Sequence, residues 1–134
     1  MALAQQADAE MAAYRTLQEE VSVLANQRQL FAQQQNENSM VKQELDLLAD
    51  GAKVFKLVGP VLLKQDTAEA KSNVTKRLEF IQKEMEKVEK KLAAKEEEAV
   101  KIRQNIASIQ MQMQKNAAES AGTAAAQAQA QLGR

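Results

Sequence analysis

The chain has 134 residues, with 18 basic and 18 acidic side chains, no cysteine and no histidine. That length holds one domain at most, and the balanced charge leaves no net field to draw it to nucleic acid or an anionic membrane. Disulfides, thiolate chemistry and cysteine-based metal sites are excluded, and the commonest general base and metal ligand are missing with histidine.

Aromatic residues make up only 3% of the chain, too few for a compact globular core of the usual kind. No apolar run approaches the roughly 18 residues needed to span a membrane. The start, MALAQQADAE, lacks the basic head and apolar block of a signal peptide. Absence of cysteine fits a reducing, cytoplasmic setting. Four glycines stand at positions 51, 59, 122 and 133, and none forms a phosphate-cradling loop. The acidic run KEEEAV reads as a solvated helix face. No catalytic, cofactor-binding or metal-binding residue is expected, and the chain reads as non-enzymatic.

In chain order, the first expected element is a helix over about residues 5–49. Tyr14, Leu17, Val21, Leu24, Arg28, Phe31 and Leu45 keep one heptad seam, with Gln35 and Asn38 as polar members. Near Met40 and Val41 the apolar stripe shifts by about one position, and Leu48 follows the shifted frame. The helix should stop at Ala49, Asp50 and Gly51, because glycine commonly follows a helix end.

Next comes VFKLVGPVLL, Val54 to Leu63, the most apolar ten residues and the site of the only proline. Gly59 and Pro60 split it, so it reads as a β-hairpin over about 53–64, with strands Lys53 to Val58 and Val61 to Lys64. Val54, Phe55, Leu57, Val58, Val61, Leu62 and Leu63 would leave apolar side chains on both faces of the hairpin. A strand pair apolar on both faces expects a partner on both, and no other part of the chain supplies one. These seven residues are the candidate subunit-assembly surface; the alternative is that the hairpin folds back on the helix ends and merely caps the coiled coil. Lys53, Lys56 and Lys64 read as the polar rim that protects the sheet edge.

A second helix is expected over about 67–116, capped by Asp66 or Thr67 with Glu69 completing the box. Val74, Leu78, Ile81, Met85, Val88, Leu92, Ala99, Ile102, Ile106, Ile109 and Met113 alternate at four and three, with Lys95 the single interruption. Glu79 with Lys83, Glu86 with Lys90 and Glu97 with Lys101 mark the wet face. Helices of roughly 45 and 50 residues, each about 65–75 Å long, must fold back on each other. The expected fold is mainly α, a long antiparallel two-helix coiled coil with one β-hairpin at its closed end. Residues 1–116 form this domain, and the Ala- and Gln-rich residues 117–134 read as a frayed or flexible tail.

At the free helix ends lie Leu3, Ala7, Met11 and Tyr14 from the first helix, with Ile106, Ile109, Met111 and Met113 from the second. They are candidate client-binding residues, since methionine repacks around irregular partners. The alternative is that they are simply the last turns of the seam.

VFKLVGPVLLKQD, following NSMVKQELDLL and preceding EAKSNVTKRLEFIQKEMEKVEKKL, resembles the β-class subunits of the prefoldin family. The similarity covers about residues 10–115, and one hairpin rather than two carries the class. The resemblance implies a hetero-hexamer of two α-class and four β-class subunits, with hairpins joined in an intersubunit double β-barrel. It implies ATP-independent capture of unfolded proteins such as actin and tubulin at the coiled-coil tips, and delivery to the cytosolic group II chaperonin. It leaves open membership of a prefoldin-like assembly complex instead. A structural tether would explain the heptads but leave the apolar hairpin without use. A nucleic-acid partner is not expected, for want of a basic, aromatic-bearing stripe.

Overall fold

The computed structural model describes residues 2–49 and 51–133. Met1 and Arg134, the ends of the expected domain and tail, and Asp50, part of the expected helix stop, lie outside the described residues. The order is α1 (Leu3–Asp46), β1 (Val54–Val58), β2 (Val61–Gln65) and α2 (Thr67–Leu132). The two long helices and the single hairpin are those the heptads and the Gly-Pro turn predict. The chain divides into two compact units, Val23–Leu92 and Met1–Ser22 with Ala93–Arg134.

In the unit of residues 23–92, Leu45, Ala70 and Val74 form the buried cluster, with Val54 and Leu78 packed against it. Ile81, Met85 and Val88 continue the buried stripe of α2. Their spacing of four and three keeps one face of the helix turned to its neighbour. Fully burying one such side chain contributes about 1.5–3 kcal/mol. Polar contacts fix the direction of packing. Arg28 Nε donates to Glu89 at 3.3 Å, Gln35 to Gln82 at 2.8 Å, and Lys71 lies 3.9 Å from Asp46. These partners advance along α1 as they retreat along α2 in equal steps, so the helices are antiparallel here. The polar seam members are thus partnered: Gln35 across the pair, and Asn38 by donating to the Gln34 carbonyl at 2.7 Å.

The expected shift of frame near Met40 does not occur in the packing. Leu45 is buried on the original frame, while Met40, Val41 and Leu48 are exposed. Burial follows the seam set by the partner helix, and apolar residues beside it stay in water. Helix α1 also ends sooner than expected, at Asp46. The Leu47 N–H is shared between the Gln43 and Glu44 carbonyls, each at 3.2 Å, and the Leu48 N–H donates to the Leu45 carbonyl three residues back at 3.3 Å, the tightening common at helix ends. Gly51, at φ +83°, then takes the left-handed conformation that redirects the chain. At the start of α2, Asp66 stands at the cap and its carbonyl accepts the Ala70 N–H at 2.9 Å. Glu69 sits in the first turn, where the helix dipole favours an acid.

In the other unit, Leu17 and Ala99 are the buried pair, at 4% and 2% exposure. Lys95, the interruption of the seam, reaches Glu20 at 2.7 Å, which accounts for a cation in an otherwise apolar row. Arg103 donates to the Tyr14 hydroxyl at 3.4 Å and to Glu96 at 3.1 Å. Helix α2 does not end near residue 116 but runs on to Leu132. Every described residue from Gln110 onward is exposed. Alanine and glutamine are good helix formers, and a helix already nucleated adds them without the cost of starting anew. The expected acid–base pairs of the wet face, such as Glu79 with Lys83, are exposed but not closed; Lys87 with Glu84 at 3.1 Å is the local pair that forms. Exposed pairs of this kind are worth too little to hold one geometry.

Two outcomes follow. Ile81→Ala should cost about 2–4 kcal/mol in urea unfolding followed by circular dichroism, whereas Met111→Ala should change it by less than about 0.5 kcal/mol. The Lys95 ammonium is raised above its ordinary value of 10.5, first by the hydrogen bond to Glu20, against desolvation, and further by the charges of Glu20 and Glu98. A folded-state value above the unfolded one makes this contribution fully present below pH 10.5, and it fades as pH rises through the raised value. NMR titration should therefore find Lys95 above free lysine, and Glu20→Gln should bring it back down.

Candidate functional site

Strands β1 and β2 pair antiparallel, with Phe55 opposite Lys64, Leu57 opposite Leu62 and Val58 opposite Val61. Gly59 and Pro60 close the hairpin. Gly59 has φ +58°, and the proline ring holds its own φ negative, the combination of a type II′ turn whose twist suits the strands. Any side chain at position 59 would be strained.

Side chains alternate across a strand. One face therefore carries Val54, Lys56, Val58, Val61, Leu63 and Gln65, and the other Phe55, Leu57, Leu62 and Lys64. Val54 alone among the expected assembly residues packs on the helix cluster. Phe55, Leu57, Val58, Val61, Leu62 and Leu63 are 49–68% exposed. Completing the burial of each would contribute on the order of 1 kcal/mol. The sheet has two strands, so both also present an unpaired backbone edge. A groove of about 210 Å³ lies where the hairpin meets the helices, floored by Val41, Leu45, Val54 and Val74 and flanked by Lys56 and Arg77.

The expected client-binding residues divide into two kinds. Leu3, Ala7, Tyr14, Ile106 and Ile109 are half-buried, as the last turns of a seam would be. Met11, Met111 and Met113 are exposed, at 46, 72 and 39%. Ile109 shares an open groove of about 460 Å³ with Gln6, Ala9 and Glu10, so the two helices flank one concavity there. Met111, two residues past Ile109, lies on the outer face.

Among the exposed apolar residues that the sequence pattern does not single out are Val23 at 58%, Leu30 at 53% and Phe80 at 61%. Each stands two residues past a seam member, namely Val21, Arg28 and Leu78, where a heptad ordinarily places a polar side chain. Phe80 lies among Lys76, Lys83 and Glu84 on α2, a stretch of mixed charge. No group of three or more acidic side chains among the described residues is arranged to hold a metal ion, and no described helix is long and apolar enough to cross a membrane.

The family model for a prefoldin subunit matches residues 8–121. The chain is 40% identical over 117 residues to the probable prefoldin subunit 6 of Drosophila melanogaster, covering 87% of this chain and 94% of that one. It is 39% identical over 113 residues to prefoldin subunit 6 of Homo sapiens, covering 84% and 88%. Its fold matches the crystal structure of the prefoldin beta subunit from Thermococcus strain KS-1 with a TM-score of 0.74, at 20% identity, over 77% of this chain and 90% of that one. With a family match across nearly the whole paired-helix region and one hairpin between the helices, the chain belongs to the prefoldin family.

Proposed function

We propose that the chain is one β-class subunit of a hetero-hexameric, ATP-independent chaperone of the cytoplasm, built with other α- and β-class prefoldin subunits. The observation that carries this is the hairpin, whose six exposed apolar side chains lie on both faces of a sheet with two open edges. A surface of that kind is stable only when covered, and related hairpins joined edge to edge cover it. Val54, Phe55, Leu57, Val58, Val61, Leu62 and Leu63 are assigned to assembly.

Capture of unfolded clients, of the actin and tubulin type, is assigned to the start of α1 and the stretch of α2 that faces it, well short of the end of α2 at Leu132, which carry Leu3, Ala7, Met11, Tyr14, Ile106, Ile109, Met111 and Met113. The exposed methionines supply adaptable contact, and the half-buried seam members add apolar area when the last turns part. Several weak tips acting together hold a client firmly while each releases easily, which suits hand-over to a group II chaperonin. No bond is made or broken in this work, so the role is not enzymatic.

Phe55→Asp tests the assembly role cleanly. The new carboxylate faces Lys64 across the strands, an arrangement the hairpin itself tolerates. Native mass spectrometry of the co-expressed subunits should find the variant outside the six-chain complex, still helical by circular dichroism. A variant that enters the complex normally, or a wild-type chain found only as a homodimer, would defeat the reading.

Removing residues 1–12 together with 107–134 should leave a six-chain complex that no longer suppresses aggregation of unfolded actin. Undiminished suppression would move capture away from the helix ends.

A further inference from the structure

The hairpin carries charge of one sign only. From Lys53 to Gln65 it holds three lysines, Lys53, Lys56 and Lys64, and no aspartate or glutamate. All three are exposed, and none has an ion pair among the described residues. Asp46, the nearest described acid before the strands, lies 3.9 Å from Lys71, and Asp66 stands past the last rung, at the cap of α2.

Lys56 and Lys64 lie on different strands and on opposite faces. Lys56 stands among Val54, Val58, Val61 and Leu63, and Lys64 among Phe55, Leu57 and Leu62. Each strand of the sheet, and each face, therefore holds a cation among apolar side chains. Covering those faces withdraws water from both ammonium groups. A cation that loses water is costly unless a carboxylate meets it.

A second copy of this chain has no such carboxylate to offer. Two copies joined antiparallel through β1 at full overlap set Lys56 opposite Lys56, and like charges directly opposite destabilise a pairing. Joined likewise through β2, they set Lys64 opposite Leu62 of the other copy, so the two Lys64 side chains stand diagonal on one face, about 7–8 Å apart. Joined β1 to β2 in the hairpin's own register, they bring Lys56 and Lys64 to adjacent rungs. These separations fall within the Debye length of about 8–10 Å at ordinary salt.

We propose that the neighbour on this sheet is the hairpin of a different prefoldin-family subunit, one whose strands place carboxylates against Lys56 and Lys64. Charge then selects unlike neighbours over a second copy, while the apolar residues supply the buried area. This choice of neighbour rests on the assignment of the hairpin to assembly.

A competition tests it. The wild-type chain and a Lys56→Glu/Lys64→Glu variant, distinguished by mass, are co-expressed in equal amounts with the remaining subunits. Native mass spectrometry reads the share of each in the six-chain complex. The glutamate variant is expected at less than about a tenth of the wild-type share, with Lys56→Gln/Lys64→Gln between the two and Lys56→Arg/Lys64→Arg level with wild type. In reassembly from separated subunits, raising salt to about 0.5 M should narrow the gap, because screening weakens exposed ion pairs. Circular dichroism should find each variant folded, since the lysines have no ion pair within the chain to lose. Entry of the glutamate variant on equal terms, while Phe55→Asp is excluded, overturns the charge selection and leaves the assembly reading standing. A gap that salt does not narrow, or a stable wild-type oligomer joined through its own hairpins, also overturns it. A wild-type chain that never enters a complex of unlike subunits overturns both.

Discussion

Two helices can bury only the stripe that each turns to the other, and that geometric limit governs the molecule. Leu45, Ala70, Val74, Ile81, Met85 and Val88 in one unit, and Leu17 and Ala99 in the other, are the buried side chains among the described residues. There is no third layer to cover any apolar side chain outside the seam. The hairpin is the extreme case, since it adds two apolar faces to a chain whose burying capacity is already used. Its exposure is a consequence of architecture as much as of composition.

The same limit explains how polar residues are admitted to the seam. A cation such as Lys95 would be costly in a closed core, yet between two helices it remains 29% exposed and reaches Glu20. Arg28 and Gln35 likewise lean out of the seam toward Glu89 and Gln82. No polar side chain is fully buried among the described residues, so none bears the whole cost of desolvation. What these residues give is register. Polar pairs in fixed rows penalise sliding of one helix along the other, whereas an all-apolar stripe tolerates it.

Most of the fold was legible because it rests on local periodicity. The spacing of α2 from Val74 to Met113, the Gly59–Pro60 turn and the Asp66 cap each follow from a few adjacent residues. Burial at the seam was less legible. Val41 and Leu48 suggest a shifted stripe, but whether a stripe is buried is decided by the opposing helix, and Leu45 lies where Val74 and Ala70 can meet it. The extent of α2 was missed for a related reason. Loss of the seam after Met113 signals loss of a partner, not loss of helix, and residues 117–132 retain helix-forming side chains. In the assembly surface every named hairpin residue was visible as an apolar run, while Val23, Leu30 and Phe80 were hidden by attention to the seam alone.

Surfaces that must be covered permanently and surfaces that must release their ligand need different chemistry, and on the proposed assignment this chain separates them by residue type. The hairpin uses valine, leucine and phenylalanine on a strand framework, stiff side chains that pack well in one geometry. The proposed capture region, the start of α1 and the facing stretch of α2, carries methionine at positions 11, 111 and 113, together with alanine and isoleucine. Methionine fits many shapes with modest loss in each, so no single partner is held tightly. Exchanging the two sets would defeat both proposed roles: a methionine hairpin would specify its neighbours poorly, and a rigid aromatic capture region would bind few clients and release them slowly. The placement of β-branched residues in Val54 to Leu63 and of methionines at positions 11, 111 and 113 is thus an argument for two roles within one chain.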